Sequence, residues 1–224
     1  MHVDEVLTTL KAVGKPQTAA IYKRHGSGNN VFGTLTSELQ KLKKKLRLDH
    51  ALALELWNTG NAEARILALL IADPARISRT DAETMVQDGP VRFLGSYLAD
   101  LFARSPLADA LMREWMKSKD ESQRELSYFI LGARLRADPE SISDNDAQQV
   151  LTTIEQQLHG SPNWVRYAMN GAVIAIGVFK HALRAEAIAV AKRIGKVEVD
   201  HGATNCKTPD AAASIEKASR RKRS

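Results

Sequence analysis

Residues 61–74 read NAEARILALLIADP, a stretch apolar on nearly every side apart from Arg65 near its start. A helix of this kind must be packed between neighbours rather than laid on a surface. Proline cannot continue a helix, so the run ends at Asp73-Pro74. The same punctuation recurs in LFARSP, ending at Ser105-Pro106, and in LRADP, ending at Asp138-Pro139. The three prolines, Pro74, Pro106 and Pro139, are spaced as one pair of helices per unit requires.

Three further stretches open like the first: PVRFLGSYLADLFA (90–103), SQRELSYFILGARL (122–135) and WVRYAMNGAVIAIG (164–177). Each puts an arginine ahead of a strongly apolar run, giving Arg65, Arg92, Arg124 and Arg166 as an internal series. A more amphipathic segment precedes each of them: DHALALELWNTG, SRTDAETMVQDG, ADALMREWMKSKD and SDNDAQQVLTTIEQQLHG. Their apolar residues recur at three and four, the pattern of outer helices with one buried stripe. Asp49, Thr80 and Ser143 are read as N-caps, Gly60, Gly89 and Gly160 as terminators, and Pro162 opens the last inner helix. The expected fold is all-α, an α-solenoid of HEAT-like helical hairpins whose inner helices line a concave face.

Composition agrees. Aromatic residues are 5% and no segment sustains strand-like alternation. No eighteen-residue apolar run and no leader-like start is present, so a cytoplasmic protein without membrane contact is expected. The single cysteine, Cys206, forms no internal disulfide and leaves no multi-Cys zinc cluster, so neither a metal nor another cofactor is expected.

Two readings of the arginine series stand side by side. Each arginine pairs with an acid, with Glu63, Glu121 and Glu125 near enough in sequence, and holds the stack together; or the guanidinium groups form a ladder for successive phosphates, which the planar fork suits. Charge is uneven. Residues 1–50 hold nine Lys or Arg against four acids, residues 192–224 the same, and the middle 14 against 18. The basic ends supply Lys23 and Arg24 in YKRHG, Lys43 and Lys44 in KLKKKLR, and the terminal RRKRS as phosphate contacts. KLKKKLR also reads as a solvated helix face, and RRKRS as a tail. Trp57 and Trp115 lie on outer-helix patterns and are read as packing residues. Trp164, beside Arg166, is read as either structural or a stacking platform.

IYKRHGSGNNVFGT, the lysine-rich helix after it and DHALALELWNTGNAEARILALLIADP together resemble the bacterial DNA alkylation repair family, the HEAT-like-repeat DNA glycosylases. The similarity runs from about residue 5 to about residue 195 and is most specific over 50–74. The resemblance implies a solenoid holding duplex DNA, alkylated or abasic duplexes included, and removal of positively charged alkylated purines without metal. In that family an acidic residue and two tryptophans lie against the lesion's sugar. Matched on YLADLF, those positions fall on Val91 for the carboxylate, Gln87 for one tryptophan and Gly171 for the other. Asp88 is the nearest carboxylate, and only the backbone-holding arginine is kept, as Arg124. Excision needs stabilisation of positive charge forming on the sugar, which valine cannot give.

The stretch GKVEVDHGATNCKTPDA (195–211) breaks the helical pattern and gathers Asp200, His201, Cys206, Lys207 and Asp210. It resembles a signature of one branch of the family. On spacing it could be a nucleophile with its base, a partial metal site, a phosphate contact through Lys207 and the Gly202 backbone, or a structural closure of the solenoid. The expected organisation is a solenoid over 1–195, a packed segment over 196–215 and a basic disordered tail over 216–224. DNA binding with a repair-related role is the leading expectation; the alternative is a non-enzymatic scaffold presenting its concave face to a protein partner.

Overall fold

The computed structural model describes residues 1–221, and among these no residue is in a strand. The chain forms two compact units: Met1–Leu107 together with Gly202–Thr204, and Ala108–His201 together with the chain from Asn205 onward. No helix of the described residues is long and apolar enough to cross a membrane.

The first unit holds α1 (Val3–Ala12), α2 (Pro16–Arg24), α3 (Thr36–Leu46), α4 (His50–Asn58), α5 (Ala62–Ile71), α6 (Arg79–Asp88) and α7 (Val91–Ala103). Helix α5, the core of the opening stretch, packs against α1, α3, α4 and α7. Only Arg65 and Leu70 of its residues escape full burial. Its Glu63 is also fully buried, and accepts hydrogen bonds from the backbone amides of Phe32, Gly33 and Thr34 in the loop before α3. That loop needs glycine at Gly33, where φ is +83° and an added Cβ would lie 2.1 Å from the Lys15 carbonyl oxygen.

The second unit holds α8 (Ala108–Trp115), α9 (Glu121–Ala137), α10 (Asp144–Gln157), α11 (Asn163–Phe179), α12 (Arg184–Ile194) and α13 (Ala211–Arg221). Helices α9 and α11 pack along one another, and α12 and α13 both lie against α11. Helix α13 is seated by Ile215, fully buried over Gly177; an added Cβ at Gly177 would come within 2.5 Å of the Ile215 Cδ1. Residues 216–221 were expected in a disordered tail and are helical instead. The Ile215 contact anchors an Ala-rich run of good helix formers. The rest of that stretch, 222–224, lies outside the described residues.

The repeat has a local physical basis. Pro74 and Pro139 each begin a 3-10 turn, and the Asp73 and Asp138 carboxylates accept the amides of Ala75 and Glu140. Asp49 and Ser143 cap α4 and α10 as expected. Thr80 does not cap α6; Ser78 does, with Asp81 completing a capping box in which each residue accepts from the other's backbone. Ion pairs tie the second unit together. Arg113 bonds Asp109 at 2.8 Å and Asp146 at 3.0 Å, Arg134 bonds Asp109 at 2.9 Å, and the buried Lys180 bonds Asp144 at 2.8 Å.

Candidate nucleic-acid interface

The four inner-helix arginines occupy one place in their repeats but are used differently. Arg65 is half-buried: its guanidinium lies 4.8 Å over the Trp57 ring, Nε donates to the Trp57 carbonyl, and Nη1 donates to the Asp88 carbonyl at 2.8 Å. It thus satisfies C-terminal carbonyls of α4 and α6, where a cation is favoured. Burial lowers its pKa, and the Asp88 carboxylate opposes that shift. Arg124 behaves similarly, donating to Gln157 Oε1 at 3.0 Å and Ser161 Oγ at 3.1 Å near the end of α10.

Arg92 is exposed, and its Nη2 lies 3.5 Å from the Arg24 carbonyl oxygen. This brings Arg92 to the C-terminus of α2 beside the exposed Lys23 and Arg24. Gly26, at φ +91°, lets the loop pass under the Arg92 side chain, since an added Cβ would sit 3.3 Å from its Cδ. Gly202 also comes near, with its Cβ position 3.7 Å from Nη2 of Arg92. Lys43 and Lys44 are exposed on α3, whose buried residues are Leu39 and Leu42.

Arg166 projects from α11 between two asparagines. Asn163 donates to the Asp200 carbonyl and accepts from the Asp200 amide, while Asn170 donates to the Pro209 carbonyl. The two limbs of the segment between α12 and α13 are therefore pinned along α11 on either side of Arg166. Its buried Nε has no hydrogen-bond partner among the described residues, and its Nη2 makes one bond, 3.4 Å to Asn163 Oδ1. His201 fixes the first limb further: it bonds Thr208 Oγ1 at 3.0 Å and packs edge-on against Trp164 and Tyr167, at 5.8 and 5.6 Å between ring centroids. Burial raises the Tyr167 pKa. Trp57 and Trp115 are buried, whereas Trp164 is half-buried within this aromatic cluster.

Two of the three acids expected to neutralise the series do other work. Glu63 is committed to loop amides, and Glu121 accepts from the Trp164 amide at the start of α11. Among the described residues Arg65, Arg124 and Arg166 form no ion pair; they bond carbonyl, amide and hydroxyl oxygens. Of the residues weighed for chemistry, Asp88 ends α6, and Asp200, His201 and Cys206 line one cleft of the second unit. No three His, Cys, Asp or Glu side chains among the described residues converge as a metal site would require. Val91, at the position matched to a catalytic carboxylate, is buried; Gln87 is exposed; and nothing lies within 4 Å of an added Cβ at Gly171. Asn163 and Asn170 were missed by sequence reading. Their signal was a polar stripe, Asn163-Arg166-Asn170, on an otherwise apolar helix.

Against known proteins, the model of the DNA alkylation repair enzyme family matches residues 6–215. The chain belongs to this family. An uncharacterized protein of Listeria innocua is 30% identical over 228 residues, spanning 97% of each chain, and one of Listeria monocytogenes is 29% identical over the same extent. A solved structure, described as a new family of proteins related to the HEAT-like repeat DNA glycosylases with affinity for branched DNA structures, superposes with a TM-score of 0.90 at 27% identity. It covers 100% of this chain, and this chain covers 96% of it. The family fold is thus the helical-repeat fold that the recurring Asp-Pro punctuation indicated.

Proposed function

We propose that this chain binds DNA through basic side chains that its repeats bring together, favours branched over linear duplexes, and does not excise bases. The observation that carries the binding is the convergence of Lys23, Arg24 and Arg92 at one exposed place in the first unit, although Arg92 is 68 residues from Arg24 in the chain. A phosphate backbone laid against such a group of basic side chains releases counterions as it binds. The preference for branches rests on the described affinity of the structural relative. The absence of excision rests on Val91, Gln87 and Gly171 standing where the resemblance places a carboxylate and two tryptophans.

The arginine series does not carry the reading, because Arg65 and Arg124 are spent on oxygens at the ends of neighbouring helices. The test is fluorescence anisotropy with a four-way junction and a linear duplex of equal length, across a salt series. Tighter junction binding is expected, with affinity falling steeply as salt rises, by a log–log slope of about 0.9 per phosphate neutralised. Arg92→Ala should weaken both DNAs and reduce the slope by about 1. A flat salt response would remove the reading. Incubation with methylated DNA should release no methylated purine above the buffer control.

A further inference from the structure

The cleft of the second unit has a volume of about 1020 Å³, at the upper end of small-molecule sites, which run roughly 300–1,000 Å³. Its floor is the α11 stripe Asn163, Arg166 and Asn170, and its walls are the limbs that the two asparagines hold. Arg166 lines it with a guanidinium whose Nε is buried without a partner, as that of Arg124 also is, and whose Nη2 makes a single bond of 3.4 Å. The remaining charges divide unequally. Lys196 and Glu198 pair with each other at 2.9 Å, Glu198 also lies in the field of Arg166, and Asp210 accepts the Ala213 amide at the start of α13. Asp200, the other acid lining the cleft, is tied to Asn163 through its backbone. Lys192 and Lys207, both exposed and lining the cleft, have no carboxylate partner among the described residues. His201 adds an imidazole ring to the wall.

We propose that this cleft is a receptor for a phosphate monoester, borne by the 5′-phosphorylated end of a DNA strand or by a free nucleotide. The Nη groups of Arg166 meet the phosphate as a two-pronged donor, and Lys192 and Lys207 neutralise it at the rim. A terminal phosphate is favoured over a backbone phosphate because it carries the larger negative charge. In its strand-end form the inference rests on the DNA-binding reading; in its free-nucleotide form it does not.

The experiment uses the full chain and three probes: 2′-deoxyadenosine 5′-monophosphate by calorimetry, one labelled single strand with either a 5′-phosphate or a 5′-hydroxyl by anisotropy, and a closed dumbbell duplex without ends. The expected results are saturable heat with the nucleotide, about tenfold tighter binding of the 5′-phosphorylated strand, and displacement of that strand by the nucleotide. Arg166→Gln should bring the ratio between the two strands to about one. Lys207→Ala, a change at an exposed site that leaves packing intact, should lower it several-fold, so a folding defect in the first variant does not decide the matter. Nucleotide heat without any strand preference supports the free-nucleotide form. Equal strand affinities together with no nucleotide heat overturn the proposal whatever the dumbbell does, and loss of dumbbell binding alone overturns the DNA-binding reading instead.

Discussion

Arg65 and Arg166 each stand as the fourth residue of an inner helix, yet one is spent and the other is presented. Arg65 stacks on Trp57 and closes two helix ends, so its positive charge serves the first unit's own carbonyls. Arg166 has one long hydrogen bond and an orphaned Nε at the floor of a cleft. The repeat fixes where the cation is; the chain beyond the helix fixes its use. After α5 the chain returns as α6, whose final carbonyl reaches Arg65. After α11 come α12 and a non-helical segment whose limbs are held clear of Arg166 by flanking asparagines.

The strongest way to break this contrast is at Glu63, which makes the start of α5 a structural joint. Glu63→Ala leaves the buried amides of Gly33 and Thr34 and the part-buried amide of Phe32 without their acceptor. At roughly 1–3 kcal/mol for each unmet donor, partly offset by water, a loss of about 3–5 kcal/mol is expected in urea unfolding. A loss below about 1 kcal/mol would show that the joint does not hold the first unit. The paired exchange at the arginines is smaller. Arg65→Leu should cost about 1–2 kcal/mol through the two carbonyl bonds and the Trp57 contact. Arg166→Leu should be neutral or slightly stabilising, since it removes an unmet buried donor. Equal costs at the two sites would erase the difference between them.

These particular residues also show how far the sequence alone reaches. Apolar periodicity, the Asp-Pro stops and the caps at Asp49 and Ser143 are local signals set by neighbours in the chain, and the helices they define are present. The cap of α6 was legible as well, because Ser78 and Asp81 have capping-box spacing, although Thr80 was read as the cap. The partners of Glu63 lie 29 to 31 residues away, and those of Asn163 and Asn170 lie 37 and 39 away. No local pattern encodes such pairings, since they exist only once the loops have been placed by packing. The helical stretch 216–221 escaped notice for the same reason: its charged composition resembles a tail, and what holds it is one isoleucine over one glycine.

Acid sharpens the comparison within the second unit, where other arginines are fully matched. Arg134 first and Arg113 second hold the Asp109 carboxyl below its ordinary pKa, and Arg113 followed by Ser143 does so for Asp146. A carboxyl whose folded pKa is depressed stabilises the fold above its unfolded value, about 4. That contribution is lost as pH falls through the lower folded values. Because Asp109 is about half exposed, the screened worth of the network is about 0.5–1 kcal/mol. Arg113→Ala should therefore lower the thermal midpoint modestly at pH 7 and make the further drop on going to pH 3 smaller than in the unaltered chain. An unchanged acid response would mean that these pairs, like many on surfaces, contribute nothing.

The smallest effect lies at Gly171, one residue beyond Asn170 on α11. Nothing stands within 4 Å of an added Cβ there, and its backbone is that of the surrounding helix. Glycine inside a helix costs roughly 0.5–1 kcal/mol relative to alanine, so Gly171→Ala should stabilise the chain by about that amount in a thermal melt. Helical propensity alone gives no reason for a glycine at this position, which makes the sign of the change informative. A gain would show that the place matched to a family tryptophan is open space, free of internal packing. A loss would mean that the backbone of α11 is approached there by another part of the chain, and the stripe carrying Arg166 would then be supported from a side the present packing leaves bare.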